Sequence, residues 1–258
     1  MNEKPEILPR ADGASIAYHR LAGEGPGIVF LGGFASDMTG TKAIALEAHC
    51  RRRGQAFLRF DYRGHGQSSG AFEEGSIGLW AGDAIAAIDA LTEGPQILVG
   101  SSMGGWIMLL AARALPDRAA ALVGIAAAPD FTPRMWEELP EEARAAIERD
   151  GVWRAPSDYS EEGLPLGRAL FEGGPDQLVM TRPFAFPGPV RLLQGMEDPD
   201  VPWRTALEIS EWIEGGDIAV TLIKDGDHRL SRSQDLARLS RTLDAVTADL
   251  RGEEEETS

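Results

Sequence analysis

Apolar residues fall into two rhythms along the chain. Short continuous runs at residues 27–31, 56–60, 96–99 and 121–125, repeated at 190–193 and 218–223, have the length and composition of strands buried on both faces. Between them, residues 41–53, 77–91, 103–115, 204–213 and 231–250 return to apolar side chains at helical spacing. Strands that alternate with helices predict a doubly wound α/β domain, a mostly parallel sheet with crossover helices on its faces.

The rhythm breaks over residues 130–187. No buried strand is legible there, the text turns to Trp, Pro, Gly and acidic residues, and the length exceeds that of an ordinary connection. The pattern predicts an inserted, partly helical cap with its best helix at 137–148. Gly173-Gly174-Pro175, then Pro183 and Pro187, punctuate the return to the sheet. The core is then one discontinuous domain, 1–129 with 188–251, and the acidic run at 252–258 is expected to be a disordered tail.

Charge and cysteine content narrow the function. The 258 residues carry 41 acidic against 25 basic side chains, a net charge of -16 that repels phosphate backbones and anionic lipid, so no nucleic-acid partner is expected. The single cysteine, Cys50, leaves no disulfide framework and no Cys-rich zinc site. Together with an N-terminus lacking signal or transit character, it predicts a cytoplasmic protein. No apolar run approaches the ~18 residues of a membrane span, so no membrane anchor is expected. No His-Glu-x-x-His occurs, and Gly40-Thr41-Lys42 lacks the Gly-Lys adjacency of a phosphate loop, so neither metal nor cofactor is expected.

Two windows match the Gly-x-Ser-x-Gly pattern of a nucleophile elbow: Gly66-Gln67-Ser68-Ser69-Gly70 and Gly100-Ser101-Ser102-Met103-Gly104. About 0.2 such matches arise by chance in a chain this rich in glycine, so context has to separate them. An elbow needs a buried strand before it and a helix after it, because the sharp turn lifts the hydroxyl above the sheet. Ser102 has both. Ser68 follows the polar stretch Asp61-Tyr62-Arg63-Gly64-His65 and reads as part of a Gly-rich loop.

A serine hydroxyl needs an imidazole within reach and a carboxylate to hold that imidazole's tautomer. His49 falls inside a helix and His19 on an N-terminal strand, away from the carboxyl edge where open α/β sheets form their sites. His65 approaches that edge and stands second to His228, which follows the 218–223 strand just before the last helix. In the turn Glu197-Asp198-Pro199-Asp200, the G-x-x-D-x-x-V-P spacing favours Asp198 over Asp200. The oxyanion donors are expected to be the backbone N–H groups of Met103 and of Phe34, in the loop Gly32-Gly33-Phe34.

With Ser102, Asp198 and His228 in that chain order, the sequence resembles the α/β-hydrolase superfamily. Thr39-Gly40-Thr41-Lys42-Ala43, Phe60-Asp61-Tyr62 and the stretch 94–106 are similar to its branch of acyl-protein thioesterases and acyl-glucuronide esterases. Gly32-Gly33-Phe34 departs from the His-Gly of many relatives. The resemblance implies an α/β-hydrolase fold with an inserted, partly helical cap. It further implies a serine hydrolase that cleaves ester or thioester bonds of small-molecule or protein-linked acyl substrates. Trp106, Trp136 and Trp153 are candidates to line the acyl pocket, although an aromatic on a helix more often packs in a core.

Two other readings use the same residues. An aminopeptidase would hold a substrate amine with Glu137, Glu138, Glu141 and Glu142, and a carbon–carbon bond hydrolase would share the triad. A catalytically silent binding protein of this fold would normally have lost a triad member.

Overall fold

The structure is a computed structural model that describes residues 4–156 and 163–256, with side chains through residue 252. Residues 157–162 of the expected cap and 257–258 of the expected tail lie outside the described residues.

The chain opens with β1 (Glu6–Pro9) and β2 (Ser15–Leu21), then alternates through β3 (Glu24–Leu31), α1 (Thr41–Arg53), β4 (Gln55–Phe60), α2 (Ile77–Leu91), β5 (Gln96–Ser101), α3 (Met103–Ala114) and β6 (Ala119–Ile125). An insertion follows, made of α4 (Phe131–Glu138), α5 (Glu141–Asp150), β7 (Val152–Ala155), β8 (Leu164–Gly167), α6 (Arg168–Gly173) and β9 (Phe184–Ala185). The fold closes with β10 (Val190–Gly195), α7 (Arg204–Trp212), β11 (Ile213–Glu214), β12 (Ile218–Ile223) and α8 (Ser233–Glu256). Among the described residues, eight strands form one sheet in the order β1-β2-β4-β3-β5-β6-β10-β12. It is antiparallel across β1, β2 and β4 and parallel from there on.

Successive side chains of a strand point to opposite faces, so each central strand feeds two cores. Val29 and Leu31 pack with Leu98 and Trp106 in one core, while Ile28 and Phe30 join Ile97, Val99, Leu46 of α1 and Leu243 of α8 in the other. Burial on both faces is why these strands read as unbroken apolar runs. From β3 the chain passes first to β4 on one side and later to β5 on the other. The loops leaving β3 and β5 therefore diverge at the carboxyl edge and open a crevice between them.

The insertion and the C-terminus differ from expectation. Pro140 divides the helix expected at 137–148, because proline lacks the N–H that a continuing helix requires; α4 ends at Glu138 and α5 begins at Glu141. Strands are also present: β7 pairs antiparallel with β8, and β9 pairs with β11. They are short and only partly buried, so they carry no unbroken apolar run. The backbone of α8 runs on to Glu256 where a disordered tail was expected from residue 252. Extending an existing helix needs no new nucleus, and glutamate is a good helix former.

Candidate active site

β5 ends at Ser101 and α3 begins at Met103, so Ser102 alone makes the turn, with φ 55 and ψ -120. A residue with a Cβ holds that backbone only where its surroundings over-determine it. Here the Ser102 N–H donates to Ile125 O of β6 at 2.9 Å, and Ser102 O accepts from Gly105 N at 2.8 Å and Ala128 N at 3.1 Å. A Cβ on Gly104 would fall 2.1 Å from Leu31 O, and one on Gly100 2.4 Å from Gly104 O. The glycines of the motif therefore serve contact between helix, strand and the loop after β3.

Asp198 lies in the turn after β10 with its side chain fully buried. Its Oδ1 accepts the N–H groups of Asp200 and Val201, each at 2.9 Å, and its Oδ2 accepts from His228 Nδ1 at 2.9 Å. The other ring nitrogen, Nε2, stands 3.1 Å from Ser102 Oγ. Because the carboxylate claims the proton on Nδ1, Nε2 presents its lone pair to the serine hydroxyl. Burial works to raise the Asp198 pKa, but the donated hydrogen bonds and the neighbouring imidazole outweigh it and hold the carboxyl below its ordinary value.

The loop that carries His228 is tied to α1. Lys42 donates from Nζ to Arg229 O at 2.5 Å and lies 3.5 Å from Ser231 Oγ. Desolvation lowers its pKa to about 8, against the opposing pull of Asp227. Lys42→Met keeps the apolar stem and removes the donor next to His228. It is expected to lower kcat roughly threefold to tenfold with little change in KM. Steady-state kinetics check this, and an unchanged kcat would show the tie to be incidental.

Met103 begins α3, where backbone N–H groups carry partial positive charge. The loop Gly32-Gly33-Phe34 lies against the elbow, since a Cβ on Gly33 would come within 3.4 Å of Ser102 Cβ. The Phe34 ring packs edge-on against Phe72, Trp80 and Phe131, with centroids 4.9, 5.9 and 6.1 Å away. Phe131 opens the insertion, so the same aromatic group joins the sheet edge to α4.

The remaining candidates are occupied elsewhere. Ser68 Oγ donates to Asp61 O at 2.6 Å and accepts from Ala17 N at 2.8 Å, which stitches its loop to β2. His49 pairs with Asp244 at 2.8 Å and joins α1 to α8. His65 is buried among the rings of Tyr62, Phe72 and Trp80, and its Nδ1 faces Arg63 O at 3.3 Å. Trp106 is fully buried, donating from its indole to Gln177 O at 2.9 Å, so it braces the insertion and forms no open wall. Trp136 lines a cavity of about 350 Å³ with Ile147, Arg168 and Phe171, and Trp153 packs half-buried against the core. Asp198, Asp200 and His228 bring ligand atoms within 4.8 Å of one another, the one such group among the described residues. The hydrogen bonds of Asp198 and His228 already engage those atoms.

Burial lowers the His65 pKa from the ordinary 6.5 to about 4. The folded chain binds that proton less tightly than the unfolded chain. Its stabilising effect is thus complete above 6.5 and is lost as pH falls towards 4, worth roughly 3 kcal/mol. His65→Gln is expected to flatten this acid slope in denaturant melts at pH 7 and pH 5. An unchanged slope would assign the acid sensitivity to other groups.

A model described as "Alpha/beta hydrolase family" matches residues 28–247. Palmitoyl-protein thioesterase ABHD10, mitochondrial, from Bos taurus is 44% identical over 239 residues, covering 92% of this chain and 78% of that protein. The protein of the same name from Homo sapiens is 42% identical over the same shares. Among solved structures, alpha/beta hydrolase domain-containing protein 10 from mouse superposes with a TM-score of 0.87 at 40% identity, over 96% of this chain and all of that one. A putative hydrolase from Agrobacterium vitis gives 0.89 at 40% identity, over 95% and 98% of the two chains. The names of these relatives overturn the cytoplasmic placement expected from the sequence, because both curated proteins are named mitochondrial. A single cysteine does not choose among compartments, so it was no ground for the cytoplasm. Among the described residues, no helix is long and apolar enough to cross a membrane.

Proposed function

This chain belongs to the α/β hydrolase family, and on that footing we propose that it is a serine hydrolase cleaving long-chain acyl thioesters, with oxygen esters as slower substrates. The observation that carries the reading is the hydrogen-bonded line from Asp198 through His228 to Ser102 Oγ, set on a backbone turn that only a crowded elbow sustains. The thioester preference is drawn from the palmitoyl-protein thioesterases at 42% and 44% identity. An acyl chain would lie against the apolar side chains of the insertion, among them Phe131, which packs on Phe34, and Trp136, which packs on Phe171.

In this reading Ser102 Oγ attacks the acyl carbonyl carbon while its proton passes to His228 Nε2. The oxygen of the tetrahedral intermediate turns towards the N–H groups of Met103 and Phe34. As the carbon–sulfur bond breaks, the imidazolium returns its proton to the leaving thiolate. Water then attacks the acyl-serine, again losing a proton to Nε2, and the carboxylic acid leaves with Ser102 restored. Asp198 keeps the proton on Nδ1 and stabilises the imidazolium in both halves. Glu137 and Glu138 at the end of α4 and Glu141 and Glu142 at the start of α5 are all exposed, so solvated helix ends account for them without an aminopeptidase.

The test is initial-rate hydrolysis of matched thioester and oxygen-ester series, from two-carbon to sixteen-carbon acyl chains, beside Ser102→Ala. Long-chain thioesters are expected to turn over fastest and the variant to be inactive. Rates in both series no faster than the variant's would remove the reading.

A further inference from the structure

Asp198 is also gripped by a side chain that the hydrolytic steps do not use. Gln194, 1% exposed near the end of β10, donates from its amide nitrogen to Asp198 Oδ2 at 2.9 Å and to Val201 O at 3.2 Å. Both partners are acceptors only, so the nitrogen and not the oxygen of the amide must face them. Oδ2 is the atom that receives His228 Nδ1, while Oδ1 is filled by Asp200 N and Val201 N. The carboxylate thus meets four N–H donors, one from an imidazole, two from its own turn and one from the strand behind it.

Two further features set Gln194 apart from a residue that merely fills space. Its Oε1 is buried without a hydrogen-bond partner among the described residues, a cost that Met or Leu at this position would avoid. Its backbone is fixed by register against Leu222 of β12, whereas Asp198 rides on a turn. The amide therefore links a rigid element to the group that orients His228.

We propose that Gln194 is a positioning residue that anchors the Asp198 carboxylate to the sheet and, by sharing the oxygen that receives His228, tempers the pull of that carboxylate on the imidazolium. This inference rests on the Ser102-His228-Asp198 reading. A neutral donor on Oδ2 competes with Nδ1–H for the same electron density, so removing it favours the protonated ring. His228 must be neutral to act as base, and the acid limb of kcat/KM follows its titration. Loss of Gln194 therefore moves that limb to higher pH. The other charged groups here are Glu197 and Asp200 in the turn, Arg134, which donates to Asp200 O at 3.0 Å, and Lys42, Asp227 and Arg229 at the histidine loop. All are retained in the variants.

The experiment compares Gln194→Met and Gln194→Glu with the parent chain by melting temperature, by kcat/KM against pH, and by NMR titration of the His228 ring protons. In Gln194→Met the acid limb and the ring titration are expected to move up together by about half to one pH unit. In the same variant kcat is expected to fall roughly threefold to tenfold with KM nearly unchanged. Gln194→Glu keeps the volume and adds a second carboxylate beside Asp198, so its shift is expected to be larger; it also carries the test if the Met variant does not fold. Folded variants whose acid limb and ring titration coincide with the parent's would overturn the proposal. Activity that survives Ser102→Ala would instead remove the Ser102-His228-Asp198 reading, and the ring titration would still report on Gln194.

Discussion

Ser102→Ala is expected to lower thioester turnover by at least about a thousandfold while leaving the melting temperature within a few degrees of the parent's. The change removes one oxygen atom whose hydrogen bond is to His228 Nε2 at 3.1 Å. Alanine retains the Cβ, so no new contact arises against Gly33, and the backbone bonds that hold φ at 55 involve only Ser102 N and O. Residual rate should come from the N–H donors and from substrate binding, which still act on an attacking water. Rates within tenfold of the parent's would mean that another group supplies the nucleophile.

Gly104→Val is expected to fail for the opposite reason, through the fold before the chemistry. Its Cβ would stand 2.1 Å from Leu31 O and 2.6 Å from Gly32 O, and both are backbone atoms that no rotamer change can move aside. Relief requires α3 and the loop after β3 to separate, at a cost of about 3 kcal/mol or more, a fall in Tm of roughly 6–12 °C. Separation also carries Phe34 away from Ser102, so activity should fall further than stability alone predicts. Gly82 on α2 is the control, because a Cβ there meets nothing within 4 Å. Gly82→Ala should melt at or slightly above the parent's temperature. Equal melting of the two variants would show that the crowding at the elbow is not what the glycine serves.

Much of this architecture is written in runs and spacings. The central strands were legible because both of their faces are covered, as Val29 and Leu31 serve one core and Ile28 and Phe30 the other. Ser102, Asp198 and His228, chosen by local context and chain order, are the residues that the fold brings within hydrogen-bond reach. The insertion was less legible: β7 and β8 have four residues each and mixed burial, and pairing between such segments leaves little periodicity. Pro140 was a visible signal for the break between α4 and α5 that the apolar spacing on either side overrode. Gln194 had no signal at all. In sequence it is one polar residue closing an apolar run, and only the return of the chain through Asp198 places an acceptor against it. Trp106 illustrates the converse, since an aromatic one turn into α3 suggests a pocket until its indole is seen to brace Gln177.

The central claim is that Ser102 is the nucleophile, activated by His228. The most direct measurement treats the intact protein with a fluorophosphonate, which phosphonylates an activated serine with loss of fluoride, and maps the modified peptide by mass spectrometry. One phosphonyl group on the peptide carrying Ser102 is expected, formed in step with the loss of thioesterase activity and greatly slowed in His228→Ala. Full hydrolysis of acyl thioesters by protein exposed to the reagent, with the Ser102 peptide unmodified, would contradict the account.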